Sequence, residues 1–491
     1  MQNEFLAASP LIAIGILAVL GIVFDAMREG NQKLTYNFSI ITLILTAGLA
    51  AYTLTIPQDS LLEINRFESL SRGTLYFGGY SAILDIVFCI AGLLTIIASR
   101  DYIARMGLES NEFYHLIVYA VAGMMIMAHS AHLLNMFIGI ETMSLSFYIL
   151  AGYFRTNSKS VEAAMKYFLL GAFATGFLLY GMAMIYGSTG VMHFEDIRSA
   201  ISAGAANDSF YLFGIGLLIV GLTFKVAGFP FHQWAPDVYT GAPTVVTAFM
   251  SVAGKAAALI AFVIVGRALL PTEIVNESLK FASEKAILVI AFISAATMLV
   301  GNISALVQVN VKRMLAYSSV AHAGYLLMGI VANNESGWSG VIFYSAAYMF
   351  MQLGAFIVVS VFEDKNSENQ NINDYAGLYK SHPMLAAAMA IFMLSLAGIP
   401  PMAGFFGKYM LFKGAIQNGY TWLTIVAVIS SIISMYFYIG LIVQMYFKER
   451  SEGQMTAYMS GAKITIAISV VGAFLLGFFP SLLHDLILAS F

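Results

Sequence analysis

The chain has 491 residues, of which 59% are hydrophobic and only 10% charged, with a mean hydropathy of +0.81. An ordinary soluble domain carries about 25% charged residues, so this composition excludes a soluble globular fold. Basic and acidic residues nearly balance, 24 Lys+Arg against 27 Asp+Glu, and a net charge of −3 excludes a basic footprint for nucleic acid. The one cysteine, Cys89, lies in an apolar run, which excludes a disulfide framework, a thiolate zinc site and an iron–sulfur cluster. What remains is an all-α polytopic membrane protein.

A membrane-spanning helix needs about 20 apolar residues. Fourteen segments qualify in chain order: 6–24, 35–56, 77–98, 113–129, 131–154, 162–187, 210–229, 243–269, 286–306, 311–332, 338–362, 383–399, 420–447 and 463–480. The seventh is interrupted at Pro230 and continues through Phe231–Tyr239. The twelfth is interrupted at Pro400–Pro401 and resumes to about Gln417. The first apolar run lacks a basic leader and a small-residue cleavage site, and is read as a retained helix.

Loop Lys and Arg set the orientation. With the N-terminus outside, inside loops carry 13 basic residues, among them Arg28, Arg105, Lys312, Lys365 and Arg450. Outside loops carry 7, among them Arg66, Arg72 and Arg267. The bias places both termini outside. Four basic residues then remain within spans: Lys166, Lys225, Lys255 and Lys408.

Ala227-Gly228-Phe229-Pro230 and Ala397-Gly398-Ile399-Pro400 resemble each other, 170 residues apart (400 − 230). Each ends a helix abruptly before an aromatic-rich half-helix. They hold the same place in two consecutive sets of five spans. An odd number of spans per set inverts the second relative to the first, and inverted repeats with broken helices are a transporter signature. The expected organisation is three N-terminal spans (1–112), a first repeat (113–275), an inverted second repeat (276–450) and a C-terminal span (451–491). Proline has no N–H, so Pro230 should free the carbonyl of Val226, and Pro400 and Pro401 those of Leu396 and Ala397. Free carbonyls at that depth need water or side chains. A kink that serves packing alone is the plainer reading; the paired location and a lysine near each break favour polar cavities. Water reaching Lys408 through the second break should make Gly404 and Gly407 accessible positions.

A Lys or Asp at a helix centre costs about 2.5–3.5 kcal/mol on insertion scales. Glu141 lies about ten residues into the fifth span, and Lys225 one turn before Pro230. Lys255 follows Pro243 by twelve residues, roughly 18 Å of helix and near the midplane. Lys408 sits in the second half of the broken twelfth span. Desolvation disfavours an ammonium and a nearby carboxylate favours it, so lysines held between these effects can load and release protons. The bland alternative, one static Glu141–Lys225 pair, leaves Lys255 and Lys408 unexplained.

Other polar residues divide more evenly. Lys166 either serves the path or pairs with Glu162 at i,i+4 and snorkels. His322, beside Ser318 and Ser319, either carries protons or makes one interhelical hydrogen bond. His232 is read as capping the backbone freed at Pro230, Asp85 as a structural partner outside the repeats, and His129 and His132 as interfacial. The 27 Met read as packing residues. Gly404-Phe405-Phe406-Gly407-Lys408 has the wrong spacing for a phosphate loop. Gly214-Ile215-Gly216 lies inside a hydrophobic helix and is no dinucleotide fingerprint. Driving energy must come from an ion gradient or a neighbouring subunit.

The run Phe224–Thr244, with its Asp237-Val238-Tyr239-Thr240-Gly241-Ala242-Pro243-Thr244 ending, resembles the antiporter-like membrane subunits of respiratory complex I. Ser160–Phe173 and Lys312–His322 agree. The strong motifs cover about residues 130–420, and length and span count suit the whole chain. The resemblance implies a proton-translocating module in the bacterial inner membrane, with both termini periplasmic. Glu141, Lys225, Lys255 and Lys408 match its helix-five glutamate and the lysines of helices seven, eight and twelve; Lys166 also matches a family position. The implied partners are other membrane subunits, including antiporter-like ones, with lipid around and protons as cargo. NADH, flavin, iron–sulfur clusters and quinone would sit in partner subunits, with no cofactor or metal in this chain. Two readings from other classes stand beside this one: a Na⁺/H⁺ antiporter subunit of the multisubunit type, and a structural membrane anchor. Lysine dominance favours protons, since sodium sites want carboxylates and carbonyls.

Overall fold

The computed structural model describes residues 2–27, 32–56, 74–108, 111–364, 369–449, 456–458 and 460–490. Arg28, Arg66, Arg72, Lys365 and Arg450, which enter the orientation argument, lie outside the described residues. Among those described, secondary structure is helical apart from isolated β-bridges. Among the described residues twelve helices are long and apolar enough to cross a membrane, and Glu112–Ala128 and Pro383–Ala397 are shorter apolar helices.

The helices run α1 Gln2–Met27, α2 Gln32–Thr53, α3 Gly79–Arg105, α4 Glu112–Ala128, α5 Leu133–Ala151 and α6 Ser158–Thr189. Then come a short α7 Phe194–Ser202, α8 Asp208–Lys225, its half-helix partner α9 Trp234–Gly241, and α10 Thr244–Leu269. The second half comprises α11 Glu277–Leu306, α12 Val311–Ala332, α13 Glu335–Ser360, the broken pair α14 Pro383–Ala397 and α15 Ala403–Gln417, and α16 Thr421–Phe447. α17 Ser460–Phe478 and a short α18 Ser481–Leu488 close the chain. All fourteen expected segments are present with shifted ends. α11 begins nine residues early because Asn276 caps it by accepting from Ser278 N and Leu279 N, so polar first turns precede the apolar ones. α7 and α18 carry too few apolar residues to register as spans.

α10, α12 and α13 form the centre of the bundle, almost wholly enclosed, whereas α1, α2, α6 and α16 keep much of their apolar surface outward. That is the expected sorting when lipid is the solvent. α10 is not regular: Met250–Gly254 forms a π-helical turn immediately before Lys255. Such turns are frequent at functional sites.

The two halves share a local device. His132 bridges His193, and Asn310 bridges Asn371. Each pair is 61 residues apart (193 − 132 and 371 − 310), and His132 and Asn310 are the N-caps of α5 and α12. Each partner leads into a short helix after the third span of its set. This recurrence accords with the repeat read from the two breaks.

The breaks differ in detail from expectation. α8 stops at Lys225, before Pro230 is reached, because Ala227 adopts φ 60 and Gly228 N donates back to Thr223 O at 2.8 Å. The carbonyl of Phe224 is taken up by Trp234 Nε1 at 3.0 Å. α14 likewise ends at Ala397, with Gly398 at φ 84; glycine accepts this left-handed conformation without a Cβ penalty. Pro230 and Pro400 thus stand just outside helices already closed by left-handed turns.

Candidate functional site

Lys225, Lys255 and Lys408 are all buried, and all three share one arrangement. Lys225 Nζ donates to Ser144 Oγ on α5 at 2.8 Å. Lys255 Nζ donates to both the hydroxyl and the carbonyl of Ser319 on α12. Lys408 Nζ donates to Ser431 Oγ on α16 at 2.9 Å. A hydroxyl both donates and accepts, so it suits either the ammonium or the neutral amine. A carboxylate in its place would lose its compensating charge whenever the proton left.

Glu141 stands at one end of this row. Its Oε1 lies 3.8 Å from Lys225 Nζ and accepts from Thr175 Oγ1 at 2.7 Å. The carboxylate is partly exposed while the lysine is enclosed. Glu141 therefore acts on Lys225 through space more than through a direct hydrogen bond, whose limit lies near 3.2 Å. The Tyr148 ring, 5.9 Å from Lys225 Nζ, adds a weaker cation–π contact.

An apolar contact joins the turn after Ser144 to the residue before Lys255. Phe147, three residues beyond Ser144, packs against Gly254, where a Cβ would collide with its ring. Phe147 also meets Phe249 edge-on at 5.6 Å. Beyond Lys255 the lining turns polar. Ser318 Oγ bonds Tyr438 Oη at 2.5 Å, and His322 bridges Tyr438 Oη at 3.0 Å and Tyr344 Oη at 2.6 Å. His322 thus makes two interhelical hydrogen bonds, one to α13 and one to α16. Its ring also meets that of Tyr325 at 5.6 Å, and Lys408 Nζ lies 4.7 Å from the Tyr325 centroid.

At the second break the freed carbonyls find the lysine. Lys408 Nζ donates to Leu396 O at 3.2 Å and Ala397 O at 3.1 Å. A cation at a helix C-terminus is also favoured by the macrodipole. Gly404 and Gly407, expected to be accessible, are buried. A Cβ on Gly404 would strike the carbonyl of Ser395, and one on Gly407 the ring of Tyr344.

Lys166 stands apart from the row. Its Nζ contacts Asp237 Oδ2 at 2.8 Å and Glu162 Oε1 at 2.7 Å, while Arg313 Nη1 reaches Asp237 Oδ1 at 3.0 Å. This network ties α6, the half-helix α9 and α12 together. His129, at the C-terminal end of α4, is 2% exposed, and its Nε2 lies 2.8 Å from Asp85 Oδ2. Burying the Asp85 carboxyl requires such a partner. His132 caps α5 by accepting from Leu134 N at 3.1 Å. His232 contacts the Pro230 backbone and stacks on Phe229. The hydroxyls of Ser144, Thr175, Ser319 and Ser431 carried no separate sequence signal, since serine and threonine recur throughout the spans.

A polytopic helical bundle with two broken helices and an internal lysine row defines an antiporter-like membrane protein. Residues 130–434 match the family model described as "NADH:quinone oxidoreductase/Mrp antiporter, TM". The curated "NADH-quinone oxidoreductase subunit N" of Trichlorobacter lovleyi is 44% identical over 477 residues, 96% of this chain and 94% of that one. A chain of respiratory complex I from Thermus thermophilus superposes with a TM-score of 0.82 at 31% identity, covering 98% of this chain and 100% of that one. A chain of the Mrp complex from Dietzia sp. shares the fold, with a TM-score of 0.79 at 20% identity over 99% of this chain and 96% of that one. The chain belongs to the NADH:quinone oxidoreductase/Mrp antiporter membrane family, within its subunit N group.

Proposed function

We propose that this chain is the proton-translocating, antiporter-like membrane subunit of a respiratory NADH:quinone oxidoreductase, and so part of a translocase. The carrying observation is that three buried lysines on distorted or broken helices each donate to a serine hydroxyl. Each can exchange a proton without leaving a buried counter-charge unpaired. Glu141 biases Lys225, Lys255 and His322 carry the row through the centre, and Lys408 ends it at the second break. Lys166 holds the half-helix α9 at the edge of the path. In this reading NADH, flavin, iron–sulfur clusters and quinone belong to partner subunits. Neighbouring antiporter-like subunits then supply the drive. The membrane is the bacterial inner membrane, with both termini periplasmic. The five-helix units 113–275 and 276–450 each contribute one broken helix.

The Na⁺/H⁺ antiporter reading shares the fold, but no feature of the site favours it over protons. The test is proton pumping by the assembled complex carrying Glu141→Ala or Lys225→Ala. Both should pump far less while the complex remains detectable. Wild-type pumping in both would sink the assignment.

A further inference from the structure

Glu363 follows the last turn of α13 by three residues, a place where a carboxylate is ordinarily solvated. It is 2% exposed. Its carboxylate accepts from Tyr102 Oη at 2.9 Å, Thr244 Oγ1 at 2.7 Å and Gln370 Nε2 at 2.6 Å. These three donors are neutral and come from α3, α10 and the segment after α13. Arg105 turns instead to backbone, donating to Glu363 O at 2.7 Å and Ser360 O at 2.8 Å. The residue lines a cavity of about 580 Å³ together with Tyr102, Lys159, Thr240, Lys312 and Asp364. The cavity opens at the end of the bundle where α3 finishes and α10 and α12 begin.

A file of polar groups leads from this cavity to Lys255. On α10, Thr244, Thr247, Ser251 and Lys255 are all buried and follow one another at three or four residues, with Thr247 Oγ1 donating to Tyr239 O at 2.7 Å and Ser251 Oγ to Ala248 O at 3.1 Å. The file is roughly 16 Å long at 1.5 Å per residue. On α12, Lys312 Nζ donates to Ala242 O beside the cavity at 2.7 Å. One turn on, the carbonyl of Leu315 accepts from Gln352 Nε2 at 3.0 Å. One further turn on, Ser319 holds Lys255. Gln352 of α13 therefore sits between the cavity and Lys255. It is fully buried, and its Oε1 has no hydrogen-bond partner among the described residues. A buried amide oxygen left over by the protein is a natural seat for ordered water.

We propose that this file is an aqueous proton route joining Lys255 to bulk solvent at that end of the bundle, with Glu363 as the proton-carrying carboxylate at its mouth. The proposal rests on the proton-translocating reading above. Glu363 takes a proton from cavity water and becomes the neutral acid. It returns to carboxylate by giving that proton to water held at Gln352. That water passes a proton to the neutral amine of Lys255, which becomes the ammonium. The three neutral donors around Glu363 keep its carboxylate in place through the cycle.

The test uses the whole complex in sealed vesicles, with Glu363→Gln, Glu363→Asp and Lys255→Ala compared side by side. Glu363→Gln keeps the shape and should lower coupled turnover and pumping about tenfold or more, the scale of losing a proton-transferring group. Glu363→Asp should recover most of the rate, which a merely structural role of the longer side chain would not allow. A Thr247→Cys variant in a Cys89→Ser background should react with 2-aminoethyl methanethiosulfonate and lose pumping. That labelling decides the matter alone if Glu363→Gln does not assemble. If Lys255→Ala is blocked while Glu363→Gln pumps normally, or if Thr247→Cys is fully protected, the route is wrong and the lysine row stands. Normal pumping by Lys255→Ala would overturn the translocation reading itself.

Discussion

Lys225 donates to Ser144 at 2.8 Å, a full ångström closer than it comes to the carboxylate of Glu141 at 3.8 Å. The neutral partner, not the charged one, holds the ammonium in place. Ser144 and Glu141 both lie on α5, so a movement of α5 against α8 changes the hydrogen bond and the Coulomb energy of Lys225 together.

Removing that hydroxyl should therefore impair the site. In Ser144→Ala the ammonium loses its nearest acceptor, and only the more distant Glu141 carboxylate remains to position it. A hydrogen bond to a charged group is worth about 1.5–3 kcal/mol, so coupled electron transfer should slow roughly tenfold. Ser144→Thr should keep most of the rate. The measurement is NADH-driven turnover in coupled membranes at equal complex content, and an unaffected Ser144→Ala would show that the hydroxyl is incidental.

Lys166 and Asp237 should behave as one unit. Both are substantially exposed, so breaking their ion pair should cost the fold no more than about 1 kcal/mol. Pumping should fall in Lys166→Ala and in Asp237→Ala, and the double variant should fall no further than the worse single one. Fully additive losses, measured as a double-mutant cycle on pumping rate, would mean that the two residues serve separate purposes.

The second break should be intolerant of added volume at its close approach. Gly404→Ala places a methyl against the Ser395 carbonyl, and overpacking costs typically about 1–3 kcal/mol, more where backbone must move. The amount of assembled complex on native gels should drop for Gly404→Ala. Ser431→Cys, at the half-buried partner of Lys408, should assemble and react with a small polar thiol reagent once Cys89 is removed. An inert Ser431→Cys would mean that no water reaches Lys408.

Much of this arrangement is legible in the sequence because lipid makes simple demands. Apolar runs of about 20 residues declare spans, and a lysine inside one declares a site. Lys225, Lys255 and Lys408 stand out for that reason. What holds them does not. Ser144, Ser319 and Ser431 look like any other hydroxyl in a span, and only three-dimensional packing tells which of them meets an ammonium. Glu363 is hidden for the opposite reason: beyond the end of a helix, a carboxylate reads as solvated. α7 and α18 leave no mark in the sequence because short helices give no window of high hydropathy. Ala227 closes α8 in a left-handed turn that glycine would have advertised and alanine does not.

Passage of protons through titrating lysines can be tested at Lys408. Lys408→Arg retains a cation for the carbonyls of Leu396 and Ala397 and for Ser431, so the break should stay closed and the complex assemble. Arginine stays protonated in proteins, so it cannot release a proton to the row. Electron transfer and proton translocation should be measured together in tightly coupled proteoliposomes of the assembled Lys408→Arg complex. With protons passing through Lys408, both should fall, about tenfold or more. Normal rates of both would contradict it, because a row that runs with a permanent cation at Lys408 does not use that lysine to carry protons.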